Sequence, residues 1–121
     1  MNVLVWVGVI LIGGAGSVLR FLVDGAVSSR TGRAFPYGTL VVNITGALIL
    51  GLLTGLALAG SAALLAGTAA VGSYTTFSTW MLETQRLTEE RQTIPATLNV
   101  LLSLVLGVAA AALGTLIGST L

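Results

Sequence analysis

The chain lacks several residues on which most enzymes and secreted domains depend. Its 121 residues include no cysteine and no histidine. Without cysteine it has neither a disulfide framework nor a thiolate metal site. Without histidine it lacks the usual proton shuttle and the commonest transition-metal ligand. No buried carboxylate pair is available to replace them in acid–base or nucleophilic work, so we expect a protein that is not an enzyme.

Charged residues are also scarce. Only 7% of the residues are charged and the net charge is +1, whereas soluble domains average about 25% charged residues. The chain is 55% hydrophobic, with a mean hydropathy of +1.04. This composition indicates an integral membrane protein with no nucleic-acid partner. The N-terminus has no basic region or small-residue cleavage site, so we expect no removable signal peptide.

Four apolar stretches have the roughly 20 residues that a membrane-spanning helix needs. They cover residues 3–23, 35–58, 62–82 and 94–119. The connections between them are short, and Pro95 suits the first turn of the last helix because its missing N–H costs nothing there. The sequence therefore predicts an all-α integral membrane protein of one domain, residues 1–121, with four transmembrane helices.

Small residues recur at four-residue spacing on two of these stretches. The pairs and triplets are Gly51 with Gly55, Gly107 with Ala111, and Ala110 with Gly114 and Gly118. Such spacing lets helix backbones approach closely in lipid, although each motif alone indicates only generic packing. Because four thin helices make a small assembly for a solute path, we expect a pore of this chain to oligomerise.

The most unusual segment is GSYTTFSTWMLE, residues 72–83, inside the third stretch. Six of the eight residues from Gly72 to Thr79 are glycine, serine or threonine. In hydrocarbon such backbone is tolerated only where protein or a wet cavity surrounds it. The segment is therefore predicted to be the working part of a pore or binding site.

Phe77 and Trp80 lie three residues apart and so share one helix face. Aromatic pairs at this spacing are most often core packing. The surrounding serines and threonines favour another interpretation, in which the positive ring edges stabilise a dehydrated anion. A fixed positive charge at that point would hinder the exit of the ion, whereas conduction needs moderate binding.

Two polar residues interrupt the first and second stretches. A charge at a helix centre costs about 2.5–3.5 kcal/mol, but Arg20 lies near a helix end and can reach the headgroups. It is an interfacial anchor, a residue that draws anions into a vestibule, or a partner of Asp24 or of backbone carbonyls. Asn43 either forms an interhelical hydrogen bond or lines a polar path, since Thr39 and Gly46 flank it at i−4 and i+3.

One face of the fourth stretch carries Asn99, Ser103 and Gly107 on an i, i+4, i+8 line. Asn99 and Ser103 offer hydrogen-bond donors near the start of that helix. The alternative is that the serine bonds back to the carbonyl four residues earlier, as hydroxyls in membrane helices often do.

Three motifs in order make the chain resemble the Fluc family of bacterial fluoride channels, also called CrcB. They are GGAGSVLR at 13–20, GTLVVNITG at 38–46 and GSYTTFST at 72–79. The resemblance implies a multi-pass protein of the bacterial inner membrane that exports fluoride passively and lowers its toxicity. It also implies an antiparallel, dual-topology-type dimer with two pores and a third helix broken near its middle.

The resemblance further implies a structural sodium ion at the dimer centre, held by backbone carbonyls of Gly72 and Thr75 from both subunits. It places Arg20 in a vestibule. The fluoride pore that it implies is lined by Asn43, Thr76, Phe77, Thr79, Trp80 and Ser103. The chain departs from the family pattern in having Trp80 for a second phenylalanine and Gly107 for a serine.

A small four-helix, proton-coupled exporter of cationic drugs is the alternative function. Such a pump needs a carboxylate within the membrane, but the four acids all lie at or beyond predicted helix ends: Asp24, Glu83, Glu89 and Glu90. A non-transporting assembly subunit is a third class, and it would not need Asn43, Phe77 and the threonine run together.

All five arginines fall on one predicted side of the membrane: Arg20, Arg30, Arg33, Arg86 and Arg91. The positive-inside rule then predicts a fixed orientation with both termini outside. A chain of fixed orientation would pair with an oppositely oriented paralogue, whereas the family resemblance implies a pair of identical chains. Both pairings stay open.

Overall fold

The computed structural model describes residues 2–121, and the protein is helical throughout this range. Three long helices are α1 (Val3–Thr31), α2 (Tyr37–Gly55) and α6 (Thr93–Thr120). Between α2 and α6 lies the third helical segment, residues 60–89, which consists of α3 (Gly60–Ala63), a π-helix (Leu64–Val71), α4 (Gly72–Tyr74) and α5 (Ser78–Glu89). The all-α prediction is confirmed.

Within residues 2–121, only α1, α2 and α6 are single helices long and apolar enough to cross a membrane. Large apolar side chains cover their outer surfaces, for example Leu4 at 80% and Val108 at 69% exposure. Exposed apolar surface on this scale requires lipid or a partner to cover it. The third helical segment differs because its helical structure is divided among shorter elements.

Helix α1 continues to Thr31, well past the apolar stretch that ends at residue 23. Its polar last turns are held by local bonds, such as the one from the Ser28 hydroxyl to Asp24 (3.2 Å). Gly32 ends the helix with a φ of 75°, and its N–H donates to the Ser28 carbonyl (2.8 Å). A glycine in this left-handed conformation is a common helix stop. Hydropathy locates the apolar stretch, but these local bonds decide where the helix ends.

Helices α2 and α6 approach each other through their glycines. A Cβ on Gly51 would overlap the backbone of Ala111, and one on Gly114 would overlap the backbone of Leu48. By contrast, Gly107 has no atom within 4 Å of its ideal Cβ position. The motifs at 51–55 and 114–118 therefore form the close crossing, while Gly107 faces open space.

The first and third connections meet at one end of the bundle. There Arg86 donates from Nη2 to the carbonyl of Arg33 (3.0 Å), and Arg33 lies 3.7 Å from the Asp24 carboxylate. Arg86 also pairs with Glu90 at 2.9 Å on the surface of α5.

Candidate functional site

Helical structure stops at Tyr74 and resumes at Ser78, which leaves residues 75–77 outside any helix. Thr75 is extended, with φ −82° and ψ 162°. The π-helix that precedes α4 has the wider turn that often occurs at functional sites. The backbone groups freed at 75–77 need other partners.

Asn43 of α2 supplies two of those partners. Its Nδ2 donates to the Thr76 carbonyl (2.8 Å), and its Oδ1 accepts from the Thr76 amide (2.8 Å). The Thr76 hydroxyl in turn accepts from the amide of Thr79 (3.2 Å) and so caps the start of α5. Of the two roles that the sequence allowed for Asn43, the hydrogen bond to a neighbouring helical segment is therefore formed, and it joins α2 to the interruption. Because Nδ2 carries two hydrogens, one N–H remains for another acceptor.

The carbonyls of Gly72 and Thr75 have no hydrogen-bond donor within residues 2–121. The Thr75 hydroxyl donates to the Val71 carbonyl (3.1 Å), so only its main-chain oxygen is free. Carbonyl oxygens of unwound helices are ligands that membrane proteins use for sodium. These two carbonyl oxygens are therefore suitable ligands for a sodium ion, but the two that one chain supplies do not complete its coordination shell.

A cavity of about 440 Å³ lies beside the interruption. We call it the main cavity, and its polar and aromatic walls are formed by Asn43, Thr76, Phe77, Trp80 and Ser103. These residues come from α2, from the interruption, from α5 and from α6. The fold therefore gathers five of the six predicted pore residues around one space, whose remaining walls are mostly apolar.

Phe77 and Trp80 pack edge to face, with ring centroids 5.8 Å apart and planes at 85°. Phe77 is 70% exposed in the single chain and lies at the rim of the main cavity. The Trp80 indole N–H donates to the Asn99 carbonyl (3.0 Å). This N–H is consequently not free for an ion, and the ring offers only its C–H edge.

The three residues of the predicted polar face on α6 occupy different environments. Ser103 and Gly107 line the main cavity, but Asn99 does not and is fully buried. The Ser103 hydroxyl is buried without a partner within residues 2–121. Its usual acceptor would be the Asn99 carbonyl four residues earlier, which already takes the indole N–H of Trp80. The Ser103 hydroxyl is therefore a donor without an acceptor at the wall of the main cavity.

A second cavity of about 220 Å³ lies next to the first. Its lining includes Arg20, Asp24, Thr39, Thr76 and Thr79, and Thr76 borders both cavities. Within residues 2–121, Arg20 forms no hydrogen bond or ion pair. The bond from Arg20 to Asp24 that the sequence allowed is not formed, because the carboxylate of Asp24 contacts Ser28 and Arg33 instead.

Besides the bond between Trp80 and Asn99, the sequence analysis missed two further interhelical contacts. The Thr39 hydroxyl donates to the Glu83 carboxylate, which joins α2 to α5. The hydroxyls of Thr45 and Tyr74 lie 2.9 Å apart and join α2 to α4. The sequence did indicate the second of these contacts, because Thr45 and Tyr74 are polar residues inside predicted apolar stretches and therefore need hydrogen-bond partners.

Apolar helices of membrane-spanning length around a partly polar cavity define a multi-pass α-helical membrane protein. The family described as CrcB-like protein, Camphor Resistance (CrcB) matches residues 7–115, so the chain belongs to the CrcB family.

Relatives cover most of the chain. The fluoride-specific ion channel FluC 2 of Mycolicibacterium paratuberculosis is 70% identical over 113 residues, 93% of each chain. The protein of the same name from Mycobacterium tuberculosis H37Rv is 67% identical over 114 residues, 94% of this chain and 90% of its own. FluC 1 of Symbiobacterium thermophilum is 43% identical over 119 residues, 93% of this chain and 96% of its own. The membrane-length helices and these bacterial relatives place the chain in the inner membrane.

Proposed function

We propose that this chain forms a fluoride-selective channel that lets the ion leave the cell passively and so lowers its cytoplasmic concentration. The observation that carries the proposal is the main cavity, which is lined by Asn43, Ser103 and the two aromatic residues and by no charged residue. Asn43 has one amide N–H and Ser103 has a hydroxyl that no group within residues 2–121 accepts. Relatives that carry the name of fluoride-specific ion channels support it.

In the proposed path, fluoride first meets Arg20 in the smaller cavity, where an unpaired guanidinium raises the local concentration of anions. It then passes Thr79 and Thr76 into the main cavity. There the free N–H of Asn43 and the hydroxyl of Ser103 replace water molecules, and the C–H edges of Phe77 and Trp80 face the ion. Because none of these groups carries a full charge, binding stays weak enough for the ion to leave.

Fluoride enters acidified cells as neutral HF and dissociates inside, so an anion-selective leak suffices to release it. An exporter of cationic drugs would instead need a carboxylate in its transport cavity. No aspartate or glutamate lines the main cavity, and Glu83 is bonded to Thr39. Passive fluoride movement is therefore the better-supported function, and we expect no enzymatic activity.

The third helical segment is proposed to cross the membrane as a helix broken at 75–77, which completes four transmembrane segments. The main cavity is open beside Phe77, and the exposed apolar surfaces need a cover. We infer that a second subunit supplies this cover in an antiparallel dimer surrounded by lipid. Either a second copy or an oppositely oriented paralogue could be that subunit.

A sodium ion would bind the free carbonyls of Gly72 and Thr75 from both subunits of this dimer. The ion would supply positive charge that neutralises carbonyl dipoles left without hydrogen-bond donors at the interruption. It would be structural and would stay in place during fluoride transport.

The decisive experiment is efflux from liposomes that contain the purified protein alone, followed with a fluoride electrode. We expect rapid fluoride release, retention of chloride and no need for a pH gradient. Protein-free liposomes are the control. Lack of fluoride release by a verified dimer would contradict the proposal, and dye transport driven by a pH gradient would favour the exporter.

A further inference from the structure

We propose that Asn99 is a positioning residue that holds the Trp80 ring in place on the wall of the main cavity and does not bind the transported ion. The inference rests on the proposed channel function, and it differs from the sequence analysis, which offered Asn99 as a hydrogen-bond donor on the same helix face as Ser103.

Asn99 and Trp80 are joined in both directions. The indole N–H of Trp80 donates to the main-chain carbonyl of Asn99 (3.0 Å), and the Asn99 Nδ2 donates to the main-chain carbonyl of Trp80 (3.4 Å). Nδ2 also donates to the Thr84 hydroxyl (2.9 Å), which itself donates to the Trp80 carbonyl (2.9 Å). These bonds form a closed cluster of Trp80, Thr84 and Asn99 between α5 and α6.

Asn99 has nothing left with which to bind an anion. Both hydrogens of Nδ2 are directed to oxygen atoms within the cluster. The carbonyl of Trp80 can only accept, so the amide nitrogen must face it and the orientation of the side chain follows. The remaining polar atom, Oδ1, is an acceptor that is buried without a partner and would repel fluoride. Asn99 is fully buried and does not line the main cavity.

Trp80, by contrast, lines the main cavity and packs against Phe77. The indole is held by the main-chain carbonyl of Asn99, and the Asn99 side chain acts on the ring indirectly, because its bonds to the Trp80 carbonyl and the Thr84 hydroxyl keep α5 at the distance from α6 that this indole bond needs. Phenylalanine at this position would have no N–H for that carbonyl, so the clamp depends on the indole. A released indole is large enough to swing into the cavity and obstruct it. The proposed consequence of the clamp is that the bulkier ring of this chain leaves the ion path open.

A double-mutant cycle on fluoride efflux tests the proposal, with the variants Asn99→Ala, Trp80→Phe and their combination. Contacting residues couple by roughly twofold to a hundredfold, so we expect Asn99→Ala alone to lower efflux about tenfold. In the Trp80→Phe background the same change should lower efflux less than about twofold. Equal losses in both backgrounds would mean that Asn99 acts on efflux without the indole, through ion contact or through α5–α6 packing alone, and would overturn the proposal. No loss with Trp80 present would also overturn it.

A second readout does not depend on transport. The chain has two tryptophans, so Trp6→Phe leaves Trp80 as the only one. Asn99→Ala and Thr84→Val should both lower the fluorescence anisotropy of Trp80 in detergent. The matched control is Thr88→Val, because the Thr88 hydroxyl is exposed and donates only to the Thr84 carbonyl (3.0 Å). Unchanged anisotropy in Asn99→Ala would overturn the clamp.

The two readouts separate the clamp from the channel function. If the unmodified protein releases no fluoride but the anisotropy falls in Asn99→Ala, the channel function fails and the clamp stands. If fluoride is released but the anisotropy does not change, the clamp fails alone. Asn99→Ser, which is smaller but still polar, replaces Asn99→Ala if the alanine variant does not yield a dimer on size exclusion.

Discussion

Aspartate and alanine at position 43 should impair the channel to different degrees. Asn43 makes two bonds of 2.8 Å to Thr76. Asn43→Ala removes both bonds and also the N–H proposed to face the ion. Asn43→Asp keeps an acceptor for the Thr76 amide but removes both amide hydrogens and adds a negative charge. Asn43→Asp would also set a carboxylate oxygen against the Thr76 carbonyl oxygen, so a structural role and a pore role both predict that aspartate is the more harmful change. A purely structural role further predicts that each variant loses dimer stability as well as flux, whereas a pore role predicts loss of flux from an intact dimer.

The size of each effect follows from these contacts. Interhelical hydrogen bonds in membranes average about 0.6 kcal/mol, so Asn43→Ala should destabilise the interruption by only about 1 kcal/mol and leave the dimer intact. Loss of one donor to the ion should lower flux about tenfold. Two like charges about 4 Å apart repel by about 4 kcal/mol at an effective dielectric constant of 20. Asn43→Asp should thus lower flux on the order of a thousandfold.

The assay is fluoride efflux from liposomes that contain equal amounts of dimer, as judged by size exclusion. We expect efflux to decrease from the unmodified protein to Asn43→Ala and further to Asn43→Asp. Unchanged efflux in both variants would remove Asn43 from the pore. If flux falls only in proportion to a loss of dimer on size exclusion, Asn43 serves only to hold the interruption.

Four further predictions concern other parts of the chain. Thr75→Ala should be tolerated better than Gly72→Val, because sodium would use main-chain oxygens and not the threonine side chain. Within its own chain a Cβ on Gly72 would meet only the Gly67 carbonyl oxygen, at 3.8 Å, so the valine is expected to clash with the second subunit at the proposed sodium site. A density map with continuous helical bonding through 72–75 and no ion would contradict this. Phe77→Ile should lower fluoride flux by removing the ring edge, while Trp80→Phe should keep or raise the flux. A dimer structure in which Phe77 faces lipid would argue against its place in the pore. Gly114→Ala should lower the melting temperature by forcing α2 and α6 apart, whereas Gly107→Ala, where a Cβ meets nothing within 4 Å, should not; equal melting temperatures would refute the close crossing. Cysteine tags at the termini should be labelled from outside on nearly every chain if orientation is fixed and on roughly half if the chain inserts both ways.

The sequence alone determined the class of protein and predicted where the candidate site lies. Apolar stretches of spanning length and scarce charge identify a membrane protein because burial in lipid depends on composition summed over a local window. The same reasoning pointed to residues 72–79, since glycine and hydroxyl residues in hydrocarbon require a protein or water environment. Arg20, Asn43, Phe77 and Ser103 were likewise identified from their positions within apolar stretches, and the fold places each of them beside one of two adjoining cavities.

The tertiary structure decided which partner each polar group has. Asn43 and Thr76 are 33 residues apart in the chain, and Trp80 and Asn99 are 19 apart. Helical periodicity places a residue on a face, but it does not say which other helix that face meets. For this reason Asn99, although in line with Ser103 and Gly107, lies outside the main cavity, and the indole N–H of Trp80 is used within the protein. Hydrogen-bond partners depend on distances between helices, and only packing sets those distances.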